Sequence, residues 1–161
     1  MVDSMKIQNL RLVISIINFF VISNFFTTLV FADMSGHGGM VRSLDISPDG
    51  RWVLSGSFDY TARLWSFSDQ NEIAVLDAHD GPVTSVSFVG DGMLALTASD
   101  DRTAILWDLK SFKPLKQLRG HNHKVMGIAV SDNGLLALTG SWDGTIRLWN
   151  LKSGKTIHIF R

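Results

Sequence analysis

The sequence predicts an all-β chain made of three consecutive copies of one unit, and three observations carry that prediction. A step of 42 residues relates Trp65, Trp107 and Trp149, and equally His37, His79 and His121. The same step relates Asp59, Asp101 and Asp143; Ser57, Ser99 and Ser141; Val41, Val83 and Val125; and Gly50, Gly92 and Gly134. Within each unit, short runs alternate apolar and polar residues, the period of a half-buried strand. Between the runs stand turn residues, above all Asp or Asn before Gly.

The first strand of each unit is marked by Leu44 and Ile46, by Val86 and Phe88, and by Ile128 and Val130. Ser47-Pro48-Asp49-Gly50, Val89-Gly90-Asp91-Gly92 and Ser131-Asp132-Asn133-Gly134 then turn the chain, Gly being free to take positive φ. The second strand is Trp52–Ser57, Leu94–Ser99 and Leu136–Ser141. A tight turn around the repeated Asp leads to the third, Thr61–Trp65, Thr103–Trp107 and Thr145–Trp149. A looser turn leads to the fourth, Ile73–Leu76, Leu115–Leu118 and Thr156–Phe160. The units span residues 36–78, 79–120 and 121–161, and no helix is expected after residue 33.

Residues 1–32 are of another kind. They hold five of the ten Phe, no Gly or Pro, and three charges, Asp3, Lys6 and Arg11. Leu12 to Ala32 is uncharged, and Val30-Phe31-Ala32 fits a cleavage site before Asp33. This reads as a secretory signal peptide, with Met5 as an alternative start. The run is also long enough for a retained membrane-spanning helix, so a membrane anchor is the competing reading. Either way residues 33–161 are exported, to the periplasm if the source is bacterial, or to the cell exterior.

The 15 basic and 15 acidic residues cancel, which argues against a nucleic-acid binder acting through a broad basic patch. The absence of Cys excludes disulfides, thiolate metal sites, cysteine nucleophiles and covalently attached c-type haem from this chain. No phosphate loop, nucleophile elbow or paired-carboxylate site is present. No metal site is expected from His121-x-His123, and no cofactor from any motif. Lys110, Lys113, Lys116, Arg119 and Lys124 read as a solvated outer face.

Gly36-His37, Gly120-His121 and Trp107-Asp108 give residues 36–161 a resemblance to the WD-repeat family of β-propellers. The second unit departs from the motif by opening Ala78-His79, and the first and third by closing Trp65-Ser66 and Trp149-Asn150. The resemblance implies four-stranded blades, here three of them, in a fold that closes with typically 4–8. It also implies a buried hydrogen-bond network in each blade, running Asp to His to hydroxyl to Trp. The sets are His37, Ser55, Asp59, Trp65; His79, Thr97, Asp101, Trp107; and His121, Thr139, Asp143, Trp149, with Ser57, Ser99 and Ser141 as the alternative hydroxyls. A single Ser-His-Asp set would suggest a hydrolase. A set present three times, where catalysis needs one, reads as structural.

Some positions vary between units while their neighbours stay fixed: Phe58, Asp100 and Trp142; Tyr60, Arg102 and Gly144; Met40, Pro82 and Lys124; Arg42, Thr84 and Met126. Aromatic and Arg side chains dominate binding hot spots, so Arg42, Phe58, Tyr60, Arg102 and Trp142 are the candidate partner-binding residues. The alternative is that the three aromatics pack on a neighbouring blade. The expected function is an exported, non-catalytic protein-interaction scaffold, part of a larger propeller. The rival is an accessory module of an exported redox (c-type cytochrome-associated) or other enzyme assembly. Three blades also leave two open faces, expected near Leu44, Ile46, Leu54 and Leu64 and near Ile128, Val130, Leu138 and Leu148, through which copies can self-associate.

Overall fold

The structure, a computed structural model, describes residues 36–161. The hydrophobic helix or signal segment expected at residues 1–32 lies outside the described residues. Within them the chain is all strand and turn: β1 Val41–Ile46, β2 Trp52–Ser57, β3 Ala62–Ser66, β4 Glu72–Leu76, β5 Val83–Val89, β6 Leu94–Ser99, β7 Thr103–Asp108, β8 Lys113–Arg119, β9 Val125–Val130, β10 Leu136–Ser141, β11 Ile146–Asn150 and β12 Lys155–Phe160. They form three four-stranded antiparallel meanders, β1–β4, β5–β8 and β9–β12.

The turns between first and second strands carry Gly50, Gly92 and Gly134 at positive φ, as the Asp-Gly and Asn-Gly pairs require. Each third strand meets its fourth with a register shift at the repeated Trp, between Leu64 and Trp65, Leu106 and Trp107, and Leu148 and Trp149. The shift leaves Ile73, Leu115 and Ile157 unpaired on the outer strands, where all three side chains are exposed. Pro114, which has no N–H to give a ladder, sits beside this irregularity on the outer edge strand β8.

Period-two alternation gives each sheet two apolar faces, and both faces of the middle sheet are covered. Leu54, Leu64 and Leu76 of the first sheet pack on Val86, Phe88 and Trp107 of the second. Leu96, Leu106 and Leu118 on the far side of the second sheet pack on Val125, Trp149 and Leu151 of the third. Successive sheets approach along their first and second strands and part toward their fourth. The joints are also tied by polar groups. The Phe88 N–H donates to Asp45 Oδ2 at 2.8 Å and the Val86 N–H to Ser43 Oγ at 3.1 Å, while Thr84 Oγ1 donates to the Val125 carbonyl at 2.5 Å.

The open faces differ from the expectation. Leu54 and Leu64 are buried against the second sheet, because Leu54 pairs with Asp45 and so points opposite to Leu44. On the third sheet Ile128 and Val130 pack inward, and Leu138 with its cross-strand neighbour Leu148 faces out. The open faces are thus marked by Leu44 and Ile46 at one end and by Leu138 and Leu148 at the other.

Candidate functional site

Each sheet carries one polar cluster at the turn between its second and third strands. In the second sheet, His79 lies with Nδ1 2.7 Å from Asp101 Oδ2 and Nε2 2.8 Å from Thr97 Oγ1, and the Trp107 indole N–H donates to that same Oγ1 at 2.9 Å. The first sheet repeats this with His37, Asp59, Ser55 and Trp65 at 2.8, 2.7 and 2.8 Å. The third does so with His121, Asp143, Thr139 and Trp149, all three contacts at 2.8 Å. An ionised carboxylate only accepts, so Nδ1 carries the ring proton and Nε2 accepts from the hydroxyl.

Each Asp oxygen has two partners. Besides His79, Asp101 Oδ2 accepts the Asp80 N–H, and Oδ1 accepts both the Thr103 N–H and the Thr103 hydroxyl, at 2.8 and 2.7 Å. Thr61 and Thr145 bind Asp59 and Asp143 in the same way. These threonines also keep the 42-residue step, and that spacing is the signal by which sequence reasoning could have added them to the cluster. Burial pushes the Asp101 carboxyl up, but hydrogen bonds from His79 and Thr103 outweigh it and hold the group at about 2. Burial likewise opposes, and hydrogen bonds outweigh it, at Asp59 and Asp143, which are held well below the usual carboxylate range.

The two candidate hydroxyls of each unit have separate tasks. Ser55, Thr97 and Thr139 sit between His and Trp, whereas Ser57, Ser99 and Ser141 accept the N–H of the Asp at 3.2, 3.0 and 3.1 Å. Ser99 and Ser141 also donate to the carbonyls of Gly81 and His123, which ties the entering loop to the Asp turn.

An Asp–His–hydroxyl line has the order of a hydrolytic triad, but its surroundings do not offer the hydroxyl to a substrate. Ser55, Thr97 and Thr139 are buried, and each hydroxyl oxygen already accepts an indole N–H. The His123 ring stands 5.7 Å from the Trp142 ring, and its Nδ1 accepts the Lys124 N–H at 2.9 Å. Among the described residues no group of three or more His, Asp or Glu side chains has metal-holding geometry.

One departure from the repeat motif has a local cause. A Cβ on Gly36 would come 2.7 Å from Arg63 Nη1, and one on Gly120 would come 2.8 Å from Arg147 Nη1. The two arginines lie where a side chain would otherwise be, Arg63 paired with Glu72 and Arg147 over the Trp149 ring. At the same two positions the second unit has Ala78 and Ile105. Gly36→Ala is therefore expected to cost about 1 kcal/mol, and much less in an Arg63→Ile background. Denaturant titrations of the four chains of that double-mutant cycle check this, with a coupling of about 0.5–1 kcal/mol expected.

The candidate partner-binding residues gather at the end of the sheets where these turns lie. The backbone N–H groups of Phe58, Asp100 and Trp142 donate to the carbonyls of Met40, Pro82 and Lys124, which joins each turn to its entering loop. Phe58 and Tyr60 are exposed, and Trp142 most of all at 63%. Arg42 stacks 5.5 Å over Phe58 and Lys124 5.6 Å over Trp142, and Lys124 also pairs with Asp100 across two sheets. Tyr60 and Arg102 are held at φ 75° and 76°, the left-handed region that their equivalent Gly144 enters freely. Thr84 is buried in the joint between second and third sheets, and Lys110, Lys113 and Arg119 are exposed on or beside the outer strand β8.

Comparison with known proteins places these sheets. The sequence pattern of WD40, described as "WD domain, G-beta repeat", matches residues 28–66, 70–108 and 112–150. Each match covers the first three strands of one sheet, and the second and third matches open on the outer strand of the sheet before, so the sequence repeat is offset from the sheet by one strand. The chain is 48% identical over 42 residues to nuclear distribution protein PAC1 of Debaryomyces hansenii, across 26% of this chain and 8% of that protein. It is 52% identical over 33 residues to ribosome biogenesis protein bop1 of Danio rerio, across 20% of this chain and 4% of that protein. Protein HIR1 of Candida albicans is 51% identical over 41 residues, 26% of this chain and 4% of that protein. The chain thus spans under a tenth of the length of these relatives, and each likeness is about one repeat long. Three matches in register, over most of the chain, show that it belongs to the WD domain, G-beta repeat family.

Proposed function

We propose that this chain is a non-catalytic protein-interaction module that binds a partner through the end of the sheets carrying Arg42, Phe58, Tyr60, Arg102 and Trp142. The observation that carries the reading is the exposure of Trp142 beside the cation Lys124, on a turn joined to its entering loop by a backbone hydrogen bond. The clusters beneath fix such turns, so the exposed side chains are presented at little cost in ordering on binding. Non-glycine residues held in the left-handed region concentrate at functional sites, which supports Tyr60 and Arg102 as contact residues. WD-repeat proteins typically act as scaffolds, and the names of the relatives speak of nuclear distribution and ribosome biogenesis.

The chain acts after export, a reading that rests on the uncharged run Leu12 to Ala32 behind Lys6 and Arg11. N-terminal sequencing of the exported protein is expected to begin near Asp33, and recovery of residues 1–32 in a membrane fraction would favour the anchor.

The binding surface is tested by quantitative crosslinking in the native host with the wild-type chain and with Trp142→Ala and Arg102→Ala. A partner captured by the wild type is expected to fall at least tenfold with either variant, while the thermal melt moves by no more than about 2 °C. Capture unchanged by both substitutions places the binding surface elsewhere.

A further inference from the structure

Successive sheets part toward their fourth strands, so each joint opens outward as a wedge. At the end of the sheets away from the polar clusters, the wedge between the second and third sheets holds a groove of about 300 Å³. Leu94, Leu115 and Lys116 belong to one wall, and Leu135, Leu151 and Lys152 to the other. Both walls are internal to the chain, so the groove does not depend on what covers the outer faces of the first and third sheets. Leu151 is buried at its floor, while Leu115 and Leu135 stand 50% and 55% exposed at its mouth. The Leu151 N–H donates to the Leu135 carbonyl at 3.0 Å, which ties together the two turns of that wall.

The repeat shows what such a place accepts. One step earlier the position of Leu94 is held by Trp52, whose ring packs on the core of the first joint. The second joint has the shorter Leu94, and the space beside it is open. The same step puts Lys116 where the first sheet has Ala74, so this joint carries two lysines where the first carries only Lys110. The stem of Lys116 lies against the third sheet at Gly154, where a Cβ would come 3.2 Å from its Cδ, and this keeps the ammonium at the rim. Among the described residues neither Lys116 nor Lys152 has a carboxylate partner. Asp108 shares the sheet face of Leu94, but its oxygens accept the Ser111 hydroxyl and the Lys110 N–H. Asp132, in the adjoining turn, does not line the groove.

We infer that this groove docks an acidic peptide segment of a partner protein, at the opposite end of the sheets from the surface proposed above and independently of it. One large apolar side chain of the segment enters between Leu94, Leu115 and Leu135, and carboxylates on either side of it pair with Lys116 and Lys152. The volume suits a single side chain, since it lies at the lower bound of pockets that enclose whole small ligands. The anchor in the pocket supplies affinity, and the charges at the rim set register and partner choice. The apolar surface is concave and lies between the two lysines, so a side chain has to be carried into it, which a flat lipid surface does not do.

The test is two-dimensional NMR on the 161-residue chain, methyl-labelled at Leu, titrated with capped peptides that carry a central Trp or Leu between Glu residues. The peptides are expected to shift the methyl signals of Leu94, Leu115 and Leu135. Matched peptides with Lys in place of Glu, or with Ser at the centre, are expected to bind at least tenfold more weakly. Leu94→Trp fills the groove as Trp52 does in the first joint, and Lys116→Glu with Lys152→Glu reverses the rim without touching the core. Each variant is expected to lower affinity at least tenfold with an unchanged strand circular dichroism spectrum, and the rim variant to prefer the Lys peptides. Trp142→Ala and Arg102→Ala are expected to leave this binding as it is, which separates it from the surface at the other end. No shift at millimolar peptide overturns the inference, as does binding that survives both groove variants or that is lost with Trp142→Ala. Equal binding of the Ser-centred peptides removes the apolar anchor and overturns it too. Shifts produced by vesicles of anionic lipid and not by the peptides overturn it in favour of a membrane surface.

Discussion

Replacing Trp107 with Ala is expected to destabilise the protein by about 3–5 kcal/mol, the range for deleting a large buried ring from a well-packed core. Trp107 is buried in the cluster shared by the first two sheets, beside Leu54 and Phe88. Its loss opens a cavity in that joint and removes the N–H bound by Thr97 Oγ1. Repeat units draw much of their stability from their neighbours, so damage in the middle sheet weakens the whole stack. The expected readout is a melting midpoint lowered by roughly 10–20 °C, with Trp107→Phe losing less than half as much because it keeps most of the apolar volume. A drop of under about 5 °C for the Ala variant would place the weight of the joint on the aliphatic residues instead.

Asp101→Ala has the next largest expected effect, about 1–3 kcal/mol, because it strands His79 Nδ1, the Asp80 N–H and both Thr103 donors at once. The same carboxylate gives the protein an acid limit. Its folded-state pKa is depressed to about 2 from 3.8, so its stabilisation is complete above about pH 4 and is lost as pH falls toward 2. Asp59 and Asp143 are depressed too and add loss of the same sign. Thermal melts from pH 5 to pH 2 are expected to fall steeply for the wild type and less steeply for Asp101→Asn. Parallel curves would show that other carboxylates set the acid limit.

The three second strands were legible to the residue, Trp52–Ser57, Leu94–Ser99 and Leu136–Ser141, because a positive-φ Gly turn bounds one end and the Asp turn the other. The third strands begin one residue later than expected in the first and third sheets, where pairing with the fourth strand starts at Ala62 and Ile146, whereas in the second sheet Thr103 itself pairs with Arg119. Four members of each polar cluster repeat at a constant step, and the resemblance to the WD-repeat family implied their bonding order, but Thr61, Thr103 and Thr145, which keep the same step, were not read as members. Which hydroxyl faces the indole was not legible, because Ser55 and Ser57 lie on the same face of β2 and only the turn geometry separates them. The open faces were misplaced for a related reason. Alternation shows that a strand has two faces but not which face meets which neighbour, and the pairing of Leu54 with Asp45 decides that. Asp45 itself interrupts an apolar strand in the sequence. Its use, capping two groups of the neighbouring inner strand, exists only once the sheets are stacked.

Gly90 and Gly134 meet backbone to backbone where the turns of the second and third sheets touch, and a Cβ on Gly134 would come 3.0 Å from the Gly90 Cα. The corresponding turns of the first and second sheets meet through Pro48 and Gly92. These contacts act as calipers at the hub of the arc. The outer strands are free to spread like spokes, so the hub thickness sets the angle between successive sheets. A bulkier residue at the hub would prise the sheets apart there, flatten that angle and raise the number needed to complete a circle. One turn residue from each sheet, Pro48 against Gly92 and Gly90 against Gly134, thereby governs how many sheets make a full turn.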